Sequence, residues 1–209
     1  MQAKTVTVPT LKRLPIYLTY LKHLQEQGRE VVSTTHLSRV LKQDPTQIRK
    51  DLAATGLVGK PKVGFDVSKT IEHLENFLGY HNTNDAFLVG VGNLGRAIMG
   101  YLPFVEKGLN IVAAFDNNPE LIGKEIAGIP VLTVEKLTDL AKRMKIKLGI
   151  LTVPESVAQD LTDAMVEGGI QVIWNFVPTR LMVTDSVYVE YTQLSSHLAV
   201  IKKKLQSIK

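Results

Sequence analysis

The fold of this chain is decided by ten residues, 86–95, which read AFLVGVGNLG. The first four are apolar and long enough for a buried strand. They run into the pattern Gly-x-Gly-x-x-Gly, and apolar residues at helical spacing follow it, so the stretch predicts a strand, a tight turn and a helix. In a nucleotide-binding fold such glycines make the turn, let the backbone approach a pyrophosphate, and let the helix pack closely on the strand.

A carboxylate stands where such a fold would need one. Residues 111–115 (IVAAF) predict a second strand that ends in Asp116, about 20 residues beyond the last glycine. An acid at that place accepts hydrogen bonds from the adenosine ribose hydroxyls and repels a 2′-phosphate, which favours NAD(H) over NADP(H). The predicted cofactor-binding loop residues, together with this acid, are Gly90, Val91, Gly92, Asn93, Leu94, Gly95 and Asp116.

Helical and strand-like segments continue to alternate after this unit. Helices are predicted at 134–144 and 156–167, and strands at 148–153 and 170–176. Alternation of this kind indicates a parallel sheet that binds its ligand at the carboxyl ends of the strands, a Rossmann-like domain. The residues predicted at those ends, on the nicotinamide side, are Thr152, Val153, Pro154, Asn175 and Phe176.

The last segment carries apolar residues at spacings of four and three. This pattern predicts a continuous helix with one apolar seam, which we expect to pack on a partner subunit rather than on its own domain. Its members are Val187, Tyr191, Leu194, Leu198, Ile201 and Leu205.

The N-terminal third predicts a winged helix-turn-helix. A leucine stripe over 11–24 indicates a first helix, with Thr10 as N-cap and Pro15 near its first turn. A second short helix begins near Ser33 or Thr34. Asp44 then caps a third helix that starts at Pro45, and Gln47 completes a capping box. Residues 57–65 (LVGKPKVGF) predict a small hairpin, the wing.

Charge is concentrated in this third of the chain. Residues 1–65 hold 11 of the 25 basic side chains and four of the 20 acidic ones, which indicates a surface that faces a polyanion. Arginine suits bidentate contact with guanine and lysine suits phosphate. The alternative is a three-helix bundle with a solvated basic face. The predicted DNA-binding residues are Gln47, Arg49 and Lys50 of the third helix, Lys60 and Lys62 of the wing, and Lys12 and Arg13 of the first helix.

Several classes of protein are disfavoured. The 209 residues include no cysteine, which excludes disulfides and thiolate zinc sites, and no apolar run approaches the roughly 20 residues of a membrane span. We therefore expect a cytoplasmic protein without a metal site. A nicotinamide dehydrogenase needs a proton donor near the ring, yet only His197 follows the glycine loop and no Tyr-x-x-x-Lys pair occurs. Cofactor binding without evident catalysis favours a sensor.

Two alternatives stay open at this stage. One is an NAD-dependent oxidoreductase with a basic accessory domain. The other is a repressor that senses a different nucleotide such as coenzyme A, which Asp116 disfavours because coenzyme A carries a 3′-phosphate on its ribose.

These motifs, in this order and over nearly the whole chain, resemble the redox-sensing repressor family Rex. The matching stretches are LPIYL at 14–18, QIRKDL at 47–52, VGF at 63–65, VGVGNLG at 89–95, LTVP at 151–154 and NF at 175–176.

The resemblance implies a homodimer whose terminal helix is exchanged between subunits. It implies a DNA-binding domain at 1–80, a Rossmann domain at 81–189 and a dimerisation helix at 190–209. Such proteins bind pseudo-palindromic operators when NADH is low and are released by NADH. Tyr101 would then lie near the nicotinamide. An arginine–acid pair found in some members is replaced here by Thr19 and Gln193.

Overall fold

The computed structural model describes residues 6–61 and 63–208. The chain divides between Asn82 and Thr83 into two compact units. Within the described ranges, no helix combines the length and the apolar character that a membrane span requires.

The first unit is a small helical domain with a two-stranded sheet. Its described elements are α1 (Val8–Glu26), β1 (Val31–Val32), α2 (Thr34–Leu41), α3 (Pro45–Ala54), β2 (Phe65–Asp66) and α4 (Val67–Leu78). Strands β1 and β2 pair antiparallel, and α2 and α3 are joined by a turn at 42–44. This is the arrangement of a winged helix-turn-helix, as the sequence predicts.

The first helix begins earlier than predicted. Its N-cap is Thr7, whose hydroxyl accepts the Thr10 backbone N–H at 3.4 Å, so Thr10 lies inside the helix and is buried. Pro15 consequently lies in the helix interior rather than in the first turn. The prediction of Thr10 as the cap was wrong because Thr7 offers the same hydroxyl one turn earlier, directly before the Val8–Pro9 start.

Helix α4 belongs to the core of the first unit. Its apolar stripe of Val67, Ile71 and Leu74 is buried in one core with residues of α1, α2 and α3. Gly79 ends the helix in the left-handed region, with φ +71°, and the second unit starts four residues later.

The second unit is built on a seven-stranded sheet. Its elements are β3 (Asn84–Val89), α5 (Asn93–Met99), α6 (Leu102–Glu106), β4 (Leu109–Asp116), β5 (Glu125–Ile126), β6 (Ile129–Thr133), a 3₁₀ turn (Val134–Lys136), α7 (Leu137–Met144), β7 (Leu148–Leu151), α8 (Glu155–Glu167), β8 (Val172–Asn175), β9 (Tyr188–Tyr191) and α9 (Leu194–Gln206).

The strand order is β5-β6-β4-β3-β7-β8-β9, and all pairs are parallel except β5–β6. Buried side chains of α7 and α8 pack on one face of the sheet, and those of α5 pack on the other. The chain order reverses between β3 and β7, where a doubly wound sheet opens a crevice for ligands. The predicted Rossmann-like architecture is confirmed.

The predicted terminal helix is shorter than the apolar seam suggested. Tyr188–Tyr191 form β9, which pairs with β8, and the helix begins only at Leu194. Val187 and Tyr191 therefore lie outside the helix. A spacing of four residues places two side chains on one side of a strand as well as of a helix, so the spacing alone did not distinguish the two. On α9 the side chains of Leu198, Ile201 and Leu205 are more than half exposed.

Candidate functional site

The recognition surface starts from a well-capped α3. One carboxylate oxygen of Asp44 accepts the backbone N–H groups of Thr46 and Gln47 at 2.8 and 2.9 Å, which confirms the predicted N-cap. Ile48 and Leu52 are fully buried, so the opposite face of the helix points to solvent. The exposed face carries Thr46, Arg49, Lys50 and Ala53.

Gln47 does not complete the predicted capping box. Its side-chain amide instead donates to Asp51 one turn later, at 2.8 Å, and the residue is half-buried rather than directed outward. The physical reason is the burial of Asp51, which is 1% exposed. A buried carboxylate is costly unless it accepts hydrogen bonds, so the Gln47 amide is more stabilising there than at the helix cap.

Asp51 is the centre of a buried polar network between α1 and α3. Its two oxygens accept five hydrogen bonds of 2.6–3.0 Å, of which Arg13 supplies two through Nε and Nη2. The other donors are the hydroxyls of Thr10 and Tyr17 and the amide of Gln47. The network ties the recognition helix to the first helix of the domain.

The network holds Asp51 in its charged form. Burial by itself raises the pKa of this carboxyl, but the hydrogen bonds from Arg13, Tyr17, Gln47 and Thr10 outweigh it and lower the pKa to about 2. The hydrogen bond to Asp51 also raises the pKa of Arg13 above its ordinary value. Two nitrogens of Arg13 are thus engaged with Asp51, which argues against its predicted contact with DNA. Lys12, one residue earlier, is exposed.

The wing is narrower than the predicted hairpin. Lys60 and Gly64 exchange backbone hydrogen bonds of 2.8 and 2.9 Å as an isolated bridge, and Leu57–Gly59 form no strand. The reason is that the backbone beyond Gly64, in β2, pairs with β1 instead. Gly64 has φ +107°, and a Cβ there would collide with the Val32 carbonyl, so only glycine fits.

A groove of about 530 Å³ lies between the recognition helix and the wing. Arg49 and Ala53 of α3 line one side, and Lys60 and Pro61 of the wing line the other. Within the described residues Arg49, Lys50 and Lys60 have no acidic partner, so their charges are available to a polyanion. Lys62 lies outside the described residues.

In the second unit, the glycine loop leaves one face open. Gly90 has φ +99°, and a Cβ there would lie 2.6 Å from the Thr152 carbonyl oxygen. A Cβ on Gly95 would collide with the Gly90 carbonyl, whereas a Cβ on Gly92 would meet nothing within 4 Å. Gly90 and Gly95 are therefore needed for the close packing of the loop. Gly92 is exposed and leaves its backbone accessible, as binding of a pyrophosphate requires. The loop fits a dinucleotide.

Asp116 holds the loop in place. One carboxylate oxygen accepts the Val91 backbone N–H at 2.6 Å, and the other accepts that of Asn118 at 2.8 Å. An ionised carboxylate has about four acceptor positions, so it can still accept two ribose hydroxyls. Val91 is buried, Asn93 is exposed as the first residue of α5, and Leu94 is half-buried.

These residues border a cleft of about 630 Å³ at the carboxyl ends of β4, β3 and β7. The size is typical of small-molecule sites. Of the predicted cofactor residues, the structure brings together around this cleft Gly90, Gly92, Asp116, Thr152, Val153 and Pro154. The Thr152 hydroxyl donates to the Gly90 carbonyl at 2.7 Å, which fixes the loop to the neighbouring strand end.

The other seven predicted residues do not line this cleft: Val91, Asn93, Leu94 and Gly95 of the loop, and Asn175, Phe176 and Tyr101. The amide nitrogen of Asn175 donates to the carbonyls of Val177 and Thr179, and its oxygen accepts the Val177 N–H, so the buried side chain is occupied by its own loop. The rings of Phe176 and Trp174 lie 4.9 Å apart, centroid to centroid, and Tyr101 packs edge-on against Phe104.

Part of the cleft wall was not predicted from the sequence. Asn117 follows Asp116, Val134 follows β6, and the first turns of α8 contribute Ser156, Val157, Asp160 and Leu161. The α8 residues share one helix face because they are spaced by one, three and four residues, a periodicity that the sequence contained. The sequence does not show that this face borders the ligand cleft, because that depends on how α8 packs on the sheet. Among the described residues, no cluster of His, Asp and Glu could hold a metal ion.

Comparison with known proteins agrees with both halves. The family model described as "Putative DNA-binding protein N-terminus" matches residues 5–53, and "CoA binding domain" matches residues 81–179. A redox-sensing transcriptional repressor Rex from Bacteroides fragilis is 42% identical over 96% of this chain and 91% of its own length. Another, from Treponema denticola, is 42% identical over 95% of this chain and 94% of its own. The chain belongs to the Rex family.

Solved structures of a Rex-family repressor, RSP, have the same fold. RSP in complex with β-NAD⁺ and operator DNA is 36% identical, with a TM-score of 0.90 over 97% of this chain and 93% of that chain. RSP in complex with β-NADH is 35% identical, with a TM-score of 0.88 over 97% of this chain and 95% of that chain. Membership in the Rex family thus rests on sequence and on fold alike.

Proposed function

We propose that this protein is a DNA-binding transcriptional repressor that senses the NADH/NAD⁺ balance. One observation carries the proposal. A groove whose cations have no acidic partner among the described residues and a cleft that fits a dinucleotide occur in one chain, and 97% of this chain matches RSP, a protein seen with operator DNA and with both forms of NAD.

The DNA-reading half uses the exposed face of α3. Arg49 reads base edges, Lys50 and Lys60 neutralise phosphates, and Lys12 and Lys62 add positive charge to this half of the chain. Gln47 and Arg13 hold Asp51 and so position α3, and the basic first third of the chain supports this assignment. This half corresponds to the DNA-binding domain that we assign to residues 1–80.

The sensing half, residues 81–189, binds NADH and NAD⁺. The backbone at Gly92 approaches the pyrophosphate, and Asp116 accepts the ribose hydroxyls while it disfavours any phosphate on that ribose. The match to the "CoA binding domain" makes coenzyme A the second candidate ligand, but its 3′-phosphate would meet the same carboxylate. Asn175, Phe176 and Tyr101 could contact a ligand only outside the cleft described above.

We infer that the protein is a cytoplasmic homodimer and not an enzyme. The half-exposed apolar side chains of α9 provide a surface that a second copy could cover, in line with a dimerisation role for residues 190–209. Two recognition helices must lie about 34 Å apart to read two half-sites. NADH releases the operator if it binds the DNA-incompetent dimer more tightly than the competent one.

The test is fluorescence anisotropy of a labelled palindromic operator, at fixed salt, with NADH, NAD⁺ and coenzyme A titrated separately. We expect release by NADH, little effect of NAD⁺ and none of coenzyme A. Operator binding that is indifferent to every nucleotide would remove the sensor and keep the repressor. Steady NADH turnover with an added carbonyl substrate would instead favour an NAD-dependent oxidoreductase with a basic accessory domain.

A further inference from the structure

One face of α8 forms a wall of the dinucleotide cleft. Val157, Asp160 and Leu161 are spaced by three and four residues, so they lie side by side on the helix, and all three line the cleft. Val134 and Phe115 line it as well. This wall of the cleft is therefore mostly apolar, and Asp160 is its carboxylate, with Ser156 at the start of the same helix.

The Asp160 carboxylate has no hydrogen-bond or salt-bridge partner among the residues that the structure describes. The other acid of the cleft, Asp116, already accepts two backbone N–H groups. Of the described lysines and arginines, none lines the cleft, where it could neutralise Asp160. Asp160 is exposed, so water can hydrate its carboxylate, and a ligand that brings a hydrogen-bond donor to this wall can take the place of that water.

The order of groups along a dinucleotide identifies that donor. The open backbone at Gly92 marks the pyrophosphate and Asp116 marks the adenosine ribose, so the base attached to that ribose occupies the remaining slot. Adenine is a flat ring with an exocyclic amino group at its edge. Its ring suits Val134, Val157 and Leu161, and its amino group suits a carboxylate.

We propose that Asp160 selects adenine by accepting a hydrogen bond from its 6-amino group. The inference rests on the proposed function, because it assumes that the cleft binds NADH. Hypoxanthine places a carbonyl oxygen where adenine has the amino group, so its lone pairs would face the carboxylate. The protein therefore discriminates between NADH and nicotinamide hypoxanthine dinucleotide, its deaminated analogue.

The test measures dissociation constants of both reduced dinucleotides with the full-length protein, through the dihydronicotinamide fluorescence that they share. We expect the wild type to bind NADH at least about 10-fold more tightly, the factor that corresponds to one charge-assisted hydrogen bond of about 1.4 kcal/mol. In Asp160→Ala the two constants should converge, through weaker binding of NADH.

Asp163→Ala is the matched control. Asp163 is a carboxylate on the same helix and is exposed, as Asp160 is, but it does not line the cleft, and its removal changes the net charge equally. This variant should keep the wild-type discrimination. Equal loss in both variants would mean that overall charge, not a contact, selects the base, and would overturn the proposal.

The remaining outcomes separate this inference from the proposed function. If the wild type binds neither dinucleotide, the nucleotide sensor itself is wrong. If it binds both equally, or if Asp160→Ala still discriminates, the sensor stands and the assignment of Asp160 falls. Asp160→Asn, which keeps the volume of the side chain, provides a second variant should the alanine variant misfold.

Discussion

Replacing Asp51 by asparagine should remove that residue's share of the stability which the first unit loses between about pH 5 and 2. In the wild type, the pKa of Asp51 is lowered from its ordinary 3.8 to about 2. A carboxyl whose pKa is lower in the folded state stabilises the fold above its unfolded pKa. That stabilisation is lost as the pH falls through the folded value.

The magnitude follows from this shift. A difference of nearly two pKa units corresponds to about 2.5 kcal/mol in the free energy of unfolding. At neutral pH the asparagine variant should lose about 3 kcal/mol, the lower end for a broken buried ion pair. The lower value applies because the Arg13 side chain is 25% exposed, so its guanidinium can be hydrated when Asp51 no longer pairs with it. The difference in the free energy of unfolding between wild type and variant should therefore become smaller as the pH falls.

Urea unfolding across this pH range measures the effect. The single tryptophan, Trp174, lies in the second unit, so its fluorescence follows that unit, while far-ultraviolet circular dichroism follows both. Glu72→Gln on α4 removes an exposed carboxyl from the same unit and is the control, expected to track the wild type. A wild-type–variant gap that stays constant from pH 5 to 2 would refute the assignment of the stabilising charge to Asp51.

Three further predictions test the two binding sites. Gly92→Ala should leave the melting temperature unchanged but weaken NADH binding, whereas Gly95→Ala should lower the melting temperature because its Cβ would collide with the Gly90 carbonyl. Equal melting temperatures of the two variants would contradict this difference in packing. Arg49→Ala should cost about 1–3 kcal/mol in operator binding and relax specificity, while Lys50→Ala should weaken all DNA sequences alike and reduce the salt slope by about one. Asp116→Ala should raise the NADH dissociation constant about 10-fold or more, through loss of charge-assisted hydrogen bonds, and narrow the preference over NADPH, both read by fluorescence titration.

The sequence was sufficient wherever a local rule determines the structure. The Asp44–Pro45 start of α3 follows from capping chemistry, and the strand–glycine–helix unit at 86–95 follows from its order of residues. It was insufficient where a long-range contact decided. Gln47 was expected to cap its own helix, but a buried carboxylate one turn away accepts its amide. Tyr188–Tyr191 became a strand because the free edge of β8 was available for pairing.

The Asp51 network also constrains how a nucleotide could control DNA binding. Distorting α3 within its own unit would break the hydrogen bonds from Thr10, Arg13 and Tyr17 of α1 to the buried charge of Asp51, at a cost of several kcal/mol. Shifting the whole unit breaks none of them. A ligand that releases DNA at the lowest cost therefore changes the spacing of two intact recognition helices. Such coupling is reciprocal, so operator DNA must weaken NADH binding by the same factor by which NADH weakens operator binding. Equal NADH affinity with and without operator would exclude this coupling between the two sites, even if each site binds its ligand.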